Sequence, residues 1–201
     1  MKIERLPEKL LLKDVEILDP LKETNKKGNV LLVNGNIANI GKFEYSKDIK
    51  AIDCIGLTLT QGFCDLHVHF RDPGYEDKET LESGSKAALA GGFTRVCTMP
   101  NTKPTIDSPE YINYIIEKSN KCPIHIHPIG AVTKGQKGEE ISEMGLMKEA
   151  GAIAFSDDGI PIQNGLVMRK ALEYSKMFDI PVINHAEDDC LRCDGVMNEG
   201  I

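Results

Sequence analysis

From residue 62 onward, short apolar segments alternate with longer helix-like segments, and this alternation constrains the fold more than any other feature of the chain. The short segments have the length of buried strands, and the longer ones end at stop signals such as Gly91-Gly92. Such an alternation predicts a parallel sheet covered by helices. The predicted strands are a run that starts at Gly62 and residues 93–99, 124–129, 152–155 and 180–184, and the predicted helices are 78–90, 111–119 (after Ser108-Pro109-Glu110), 139–150 and 165–178.

Polar residues stand at or just beyond the ends of these predicted strands. In a βα barrel the functional groups gather at the carboxyl ends of the strands, so this placement favours a (β/α)8 barrel. A doubly wound nucleotide-binding sheet is disfavoured because no GxGxxG or P-loop motif follows any strand. We therefore predict an α/β fold with the first five strands of a TIM-like barrel over residues 61–201. A closed barrel needs three more βα units, so we expect the sequence to be a fragment. The polar residues are His67, His69 and Arg71, then Asn101, Lys134, Asp157 with Asp158, and His185.

Residues 1–60 have a different pattern from the rest of the chain. They contain short extended runs separated by Asn, Gly, Lys and Pro turn signals, and no long helical period. This pattern predicts a small antiparallel β unit that precedes the barrel.

Composition excludes several classes of protein. The chain is 41% hydrophobic and 27% charged, as expected for a globular protein and not for a disordered or membrane protein. A net charge of −7, with no block of basic residues, argues against a nucleic-acid partner and leaves a small molecule as the expected one. The charged N-terminus lacks the apolar core of a signal peptide, so we expect no membrane span and a cytoplasmic location. The six scattered cysteines indicate reduced thiols, and the role of the Cys190/Cys193 pair is left open.

The first predicted barrel strand carries two histidines and ends in a turn, Asp72-Pro73-Gly74. Residues two apart in a strand point to the same side, so His67 and His69 share a face with Asp65 and Arg71. Two imidazoles at this spacing can reach one divalent cation. Asp65 could orient an imidazole from behind, and the guanidinium of Arg71 is suited to a substrate carboxylate.

Further candidate ligands follow the fourth and fifth strands. Asp157 or Asp158 taken alone is an ordinary acidic turn, and His185 alone is a hydrogen-bonded residue at a strand end. Their occurrence at successive strand ends favours a metal site instead. A carboxylate between imidazoles can bridge two cations, which lower the pKa of a shared water toward neutrality.

Five motifs occur in order along this part of the chain: DLHVHFRDPG, TMPNTKP, PIGAVTKGQKGEE, AFSDDG and NHAEDD. In combination they resemble class I dihydroorotases of the amidohydrolase superfamily, from about residue 60 to the end of the sequence. The resemblance implies a zinc enzyme with one or two ions that interconverts dihydroorotate and N-carbamoyl-L-aspartate in de novo pyrimidine biosynthesis. It also implies that residues 1–60 form part of a β-sandwich completed by C-terminal strands.

The same resemblance assigns the metal ligands. His67 and His69 would hold the first zinc, Asp158 would bridge, and His185 would hold the second. Asp158 is preferred to Asp157 for its distance from His185. Another zinc histidine and the proton-transferring aspartate are expected beyond residue 201, so we expect this chain alone to be inactive and to fold poorly.

The resemblance further makes His69, Phe70 and Arg71, together with Asn101, the substrate-binding segment. The alternatives are a salt bridge for Arg71 and a local turn for Asn101. A guanidinium and an amide donor would be a matched receptor for the free carboxylate of dihydroorotate.

Two other functions stay open. Hydantoinases and allantoinases commonly use a modified lysine as the bridging ligand, whereas this chain has Ser156-Asp157-Asp158 at that point. A non-catalytic dihydroorotase-like partner of aspartate transcarbamoylase would typically lose metal ligands, and here the first four are intact. Self-association and association with aspartate transcarbamoylase are left open.

Two further features are given no metal role. The second His-x-His pair, His125/His127, is assigned to the core or rim because the resemblance places no ligand there. Lys134 is left without a role.

Overall fold

The structure is a computed structural model that describes residues 7–197, and the chain divides in it into two units, Met1–Gln61 and Gly62–Ile201. None of the helices in the described residues has the length and apolar composition needed to cross a membrane.

The first unit is a five-stranded mixed sheet in which the strands lie in the order β3-β2-β1-β4, with β5 also paired to β1. The tight turn at Asn34-Gly35 has positive φ at both residues, 50° and 77°, as a two-residue hairpin requires. The prediction of an antiparallel unit was wrong in part: β1–β2 and β2–β3 are antiparallel, but β4 and β5 run parallel to β1. Residues 42–49 carry the chain back across the sheet, so β4 enters in the direction of β1. The strands are β1 (Lys9–Asp19), β2 (Thr24–Val33), β3 (Asn36–Gly41), β4 (Lys50–Asp53) and β5 (Thr58–Leu59).

The second unit is a parallel sheet of five strands in the order β10-β9-β8-β7-β6, with a helix between each pair of successive strands. Each strand pairs with the one that precedes it in the chain, without the reversal of order that defines a doubly wound sheet. The predicted first five strands of a βα barrel are therefore confirmed. The strands are β6 (Phe63–Val68), β7 (Phe93–Thr98), β8 (His125–Gly130), β9 (Ala154–Ser156) and β10 (Val182–Ile183), and the helices are α1 (Leu81–Ala90), α2 (Pro109–Ser119), α3 (Met144–Ala150), α4 (Gly165–Lys176) and the short α5 (Asp189–Arg192).

Alternate residues of these strands face opposite sides of the sheet. On β7, Val96 packs into the large core beneath the helices, whereas Cys97 belongs to a smaller inner cluster with Met99, Ile129 and Ala154. All five strands run parallel, so their carboxyl ends lie along one edge, which is where the candidate site forms.

Two helices begin later than their composition predicts, and each delay has a local cause. α1 begins at Leu81 because Thr80 caps it: its hydroxyl accepts from the Ser83 amide, and the Ser83 hydroxyl accepts in return from the Thr80 amide. α3 begins at Met144 and not at residue 139 because residues before it are held against the end of β8. The Ser142 amide donates to Val132 O, and Thr133 forms a β-bridge with Ile141.

Candidate metal centre

Two histidine rings meet where β6 ends. The strand finishes at Val68, so His69 lies just beyond it and not within it as the sequence pattern predicts. The rings nevertheless face each other, with 3.2 Å between His67 Nε2 and His69 Nε2. Their side chains are 48% and 33% exposed, which leaves the pair accessible to a ligand.

The buried carboxylate of Asp158, which follows β9, lies between these rings. Its Oδ1 is 3.4 Å from His67 Nε2, and its Oδ2 is 3.4 Å from His69 Nε2. The three side chains offer ligand atoms that all lie within 4.8 Å of one another, so they form a group that could hold a metal ion. Two imidazoles and a carboxylate are a donor set that suits zinc and similar cations.

Asn101, after β7, determines which nitrogen of His69 faces Asp158. Its Nδ2 donates to Asp158 Oδ2 over 3.4 Å, which directs its Oδ1 to His69 Nδ1 at 3.0 Å. An amide oxygen only accepts, so His69 Nδ1 carries the proton. An unprotonated His69 Nε2 can accept from His67 Nε2, 3.2 Å away, or bind a cation beside the Asp158 carboxylate. Metal-bound histidines usually donate their other N–H to an oxygen in this way.

His185 follows β10, the edge strand opposite β6, and approaches the same carboxylate. Its Nδ1 is 3.5 Å from Asp158 Oδ1, and its Nε2 is 3.8 Å from Glu187 Oε2. It lies next to the compact group of three residues without belonging to it. Three imidazoles therefore surround one carboxylate at the carboxyl edge of the sheet.

The neighbouring Asp157 faces a different part of the structure. Its Oδ1 accepts from the Val132 and Thr133 amides at 2.8 and 3.1 Å, and its Oδ2 accepts from the Thr133 hydroxyl. Burial raises the pKa of Asp157, and these hydrogen bonds act in the opposite direction. The Asp157 carboxylate is thus bound by Val132 and Thr133, whereas the Asp158 carboxylate faces the histidines.

The predicted substrate segment divides between the site and the core. The half-buried Arg71 donates from Nη1 to Asn101 O over 3.4 Å and forms no ion pair within residues 7–197. The Phe70 side chain is only 7% exposed and packs in the core, where its ring lies against Gly84. Only the backbone of Phe70 is left as a candidate substrate contact. The amide of Asn101 is already shared by His69 and Asp158.

Asp65 differs from its sequence-based interpretation, and Lys134, which was left without a role, forms a local ion pair. The Asp65 carboxylate accepts from the His67 backbone amide at 3.0 Å, so it braces the strand end and does not orient an imidazole. Lys134 pairs with Glu140 at 2.6 Å on an exposed loop.

A support that the sequence reasoning missed lies directly after Arg71. Asp72 is fully buried, and its carboxylate accepts from Lys118 Nζ at 2.7 Å, from the Tyr114 hydroxyl at 3.0 Å and from the Leu81 amide at 3.4 Å. These bonds attach the loop after β6 to the start of α1 and to one face of α2. The i, i+4 spacing of Tyr114 and Lys118 predicts that they share one helix face. It does not indicate that Asp72, more than 40 positions earlier, lies against that face.

A parallel βα sheet with a histidine–carboxylate cluster at its carboxyl edge is the arrangement of metal-dependent barrel enzymes. Residues 56–201 match the model of one such family, described as dihydro-orotase-like. The chain belongs to this family.

Relatives agree with that assignment, and a solved structure shares the fold. The chain is 45% identical over 192 residues to a dihydroorotase of Solibacter usitatus, covering 95% of this chain and 45% of the relative. It is 47% identical over 193 residues to a dihydroorotase of Citrifermentans bemidjiense, with 95% and 46% coverage. The fold superposes on an L-hydantoinase (dihydropyrimidinase) from Arthrobacter aurescens with a TM-score of 0.74 at 19% identity, covering 89% of this chain and 41% of that one. The chain spans about half the length of the relatives it matches.

Proposed function

We propose that this chain is the N-terminal part of a zinc-dependent dihydroorotase, which interconverts dihydroorotate plus water and N-carbamoyl-L-aspartate. The observation that carries the proposal is the convergence of three imidazoles on the single carboxylate of Asp158. The names of the relatives, at 45–47% identity, support this substrate over other cyclic amides.

The proposed zinc ligands are His67, His69, Asp158 and His185, and they would hold one or two ions. Bound zinc would lower the pKa of a water molecule and polarise the scissile carbonyl. The chain's own task is to keep the ligand atoms free and correctly directed. Asn101 does so for His69 by accepting a hydrogen bond from its Nδ1–H.

Substrate recognition is assigned to Arg71, with Asn101 and the backbone of residues 69–70 beside it. Among residues 7–197, the Arg71 guanidinium forms a single long hydrogen bond, to a backbone oxygen, which leaves most of its donors for a carboxylate. A bidentate pair of this kind would fix the orientation of dihydroorotate relative to the metal centre.

Two other functions make different predictions about substrate and metal. A hydantoinase-like enzyme shares the fold, but the likeness at 19% identity does not extend to its substrate. A non-catalytic partner of aspartate transcarbamoylase would not need intact ligands, whereas the three imidazoles and Asp158 are in place here. Self-association would be compatible with each of these functions.

The deciding experiment uses the full-length protein that contains this sequence. Its zinc content is measured by elemental analysis, and its hydrolysis of dihydroorotate is compared with that of hydantoin and allantoin. We expect bound zinc and turnover of dihydroorotate alone. Turnover of hydantoin or allantoin in its place would reassign the substrate, and a metal-free, inactive protein would favour the partner role.

A further inference from the structure

The loop of residues 131–138, between β8 and the segment that leads to α3, contacts both aspartates that follow β9. From these contacts we infer that Asp157 is a positioning residue of the metal centre, which acts on Asp158 through this loop and binds no metal itself. The inference rests on the proposed function, because it concerns the orientation of a proposed zinc ligand.

The first contact is made by the Asp157 carboxylate. The residue is 4% exposed, and all three of its donors come from two successive loop residues, Val132 and Thr133. The Thr133 hydroxyl also accepts from the Gly138 amide at 2.9 Å, which closes the loop on itself. A buried carboxylate with this many donors fixes both partners, since losing any bond would leave a buried polar group unpaired.

The second contact runs in the opposite direction, from the loop to Asp158. Gln136 is 4% exposed, and its Nε2 donates to the backbone oxygen of Asp158 over 3.2 Å. The loop therefore holds the side chain of one aspartate and the backbone of the next. Gln136 reaches this position with a φ of 54°, a conformation that needs support from its surroundings.

These two contacts fix the backbone from which the Asp158 side chain projects. Its oxygens must stay within 3.4–3.5 Å of three imidazole nitrogens, so a small rotation of its peptide would misalign them. Groups that orient metal ligands in this way typically change metal affinity about 10–100-fold when they are removed.

A purely structural role must be separated from a positioning role, and Ser142 supplies the matched control. It is also 4% exposed, and its hydroxyl donates to Ala131 O at 2.6 Å, at the start of the same loop. It forms no hydrogen bond with Asp157 or Asp158 within the described residues. Ser142→Ala removes a bond to Ala131, outside the contacts that Val132, Thr133 and Gln136 make, so it should lower stability without changing how Asp158 is held.

The experiment measures zinc affinity by competition with a chromophoric chelator, and thermal unfolding of the metal-free form, in the full-length protein. We expect Asp157→Asn and Gln136→Met each to weaken zinc binding about tenfold or more. Ser142→Ala should lower Tm and leave zinc affinity unchanged. Gln136→Met decides the question if Asp157→Asn does not fold.

The possible outcomes separate this inference from the proposed function. Unchanged zinc affinity in the folded Asp157 and Gln136 variants, with Tm lowered as in Ser142→Ala, would overturn the positioning role alone. A wild-type protein that binds zinc but hydrolyses a different cyclic amide would overturn the proposed substrate and leave the positioning role intact. A wild-type protein without affinity for zinc would overturn both.

Discussion

Two His-x-His pairs lie in the same parallel sheet, and their surroundings differ in almost every respect. His67 and His69 stand at the carboxyl end of β6, whereas His125 and His127 occupy the first and third positions of β8. The first pair meets edge to face, with ring centroids 5.0 Å apart, and the second is stacked at 6.4 Å.

The charges around the two pairs are opposite. The first pair faces the Asp158 carboxylate, which attracts a cation. The second lies opposite Arg95 of β7 in the pairing register, and within residues 7–197 it belongs to no group of three potential metal ligands. Burial, and then the charges of Arg95 and His125, lower the pKa of His127.

The difference shows that the position of a motif along its strand decides its chemistry. At the carboxyl edge of a parallel βα sheet, loops from neighbouring strands bring further ligands to a histidine pair. Near the start of a strand, the neighbours are other strand residues, here Arg95 and Cys97 opposite His125 and His127. The same three-residue pattern therefore accompanies a candidate metal site in one place and a stacked pair beside an arginine in the other.

The largest expected effect comes from removing the carboxylate that distinguishes the first pair. Asp158→Ala should abolish zinc binding and dihydroorotate hydrolysis in the full-length protein, because the imidazoles lose the anion between them. The double variant His125→Ala/His127→Ala should keep the wild-type zinc content. Elemental analysis of both proteins checks the prediction. Loss of zinc from the double variant alone would mean that the two pairs have been assigned the wrong way round.

Sequence patterns predict which of these residues share an edge, because alternating strands and helices specify a parallel sheet and so bring strand ends together. They do not predict contacts between distant residues. The bonds from Val132 and Thr133 to Asp157 span 25 and 24 positions, and that from Lys118 to Asp72 spans 46. The same limit explains the parallel pairing of β4, since its partner β1 lies 40 positions earlier in the chain.

The second prediction tests whether Arg71, in the loop that follows the first pair, binds substrate. Arg71→Lys keeps the charge but loses the bidentate fork. We expect kcat/KM for dihydroorotate to fall, because transition-state stabilisation drops by about 1–3 kcal/mol, with zinc content unchanged. Steady-state kinetics beside elemental analysis measures both. An unchanged kcat/KM would remove Arg71 from the substrate site.

The third prediction concerns the support of that loop. Lys118→Met removes the cation from the fully buried Asp72 and leaves the carboxylate with Tyr114 and the Leu81 amide. Because Lys118 is partly exposed, we expect a loss of about 1–2 kcal/mol in the free energy of unfolding. Lys86→Met, which breaks the exposed pair with Glu82, is the matched control and should have little effect. Denaturant titration compares the two variants, and equal losses would contradict a special role for Asp72.

The smallest effect is expected from the second pair itself. The pKa of His127 is lowered in the folded protein, so folded His127 binds a proton less readily than unfolded His127, whose pKa is near 6.5. Between the folded pKa and 6.5 the unfolded state therefore holds more protons, so stability rises with pH across this window and falls as pH drops through it.

His127→Gln should flatten this part of the stability profile without changing zinc content. Denaturant titrations from pH 5 to pH 8 measure the profile, and an NMR titration of His127 measures its pKa directly. A folded pKa above 6.5 would reverse the sign of the slope and would contradict the effect assigned to burial and the Arg95 charge.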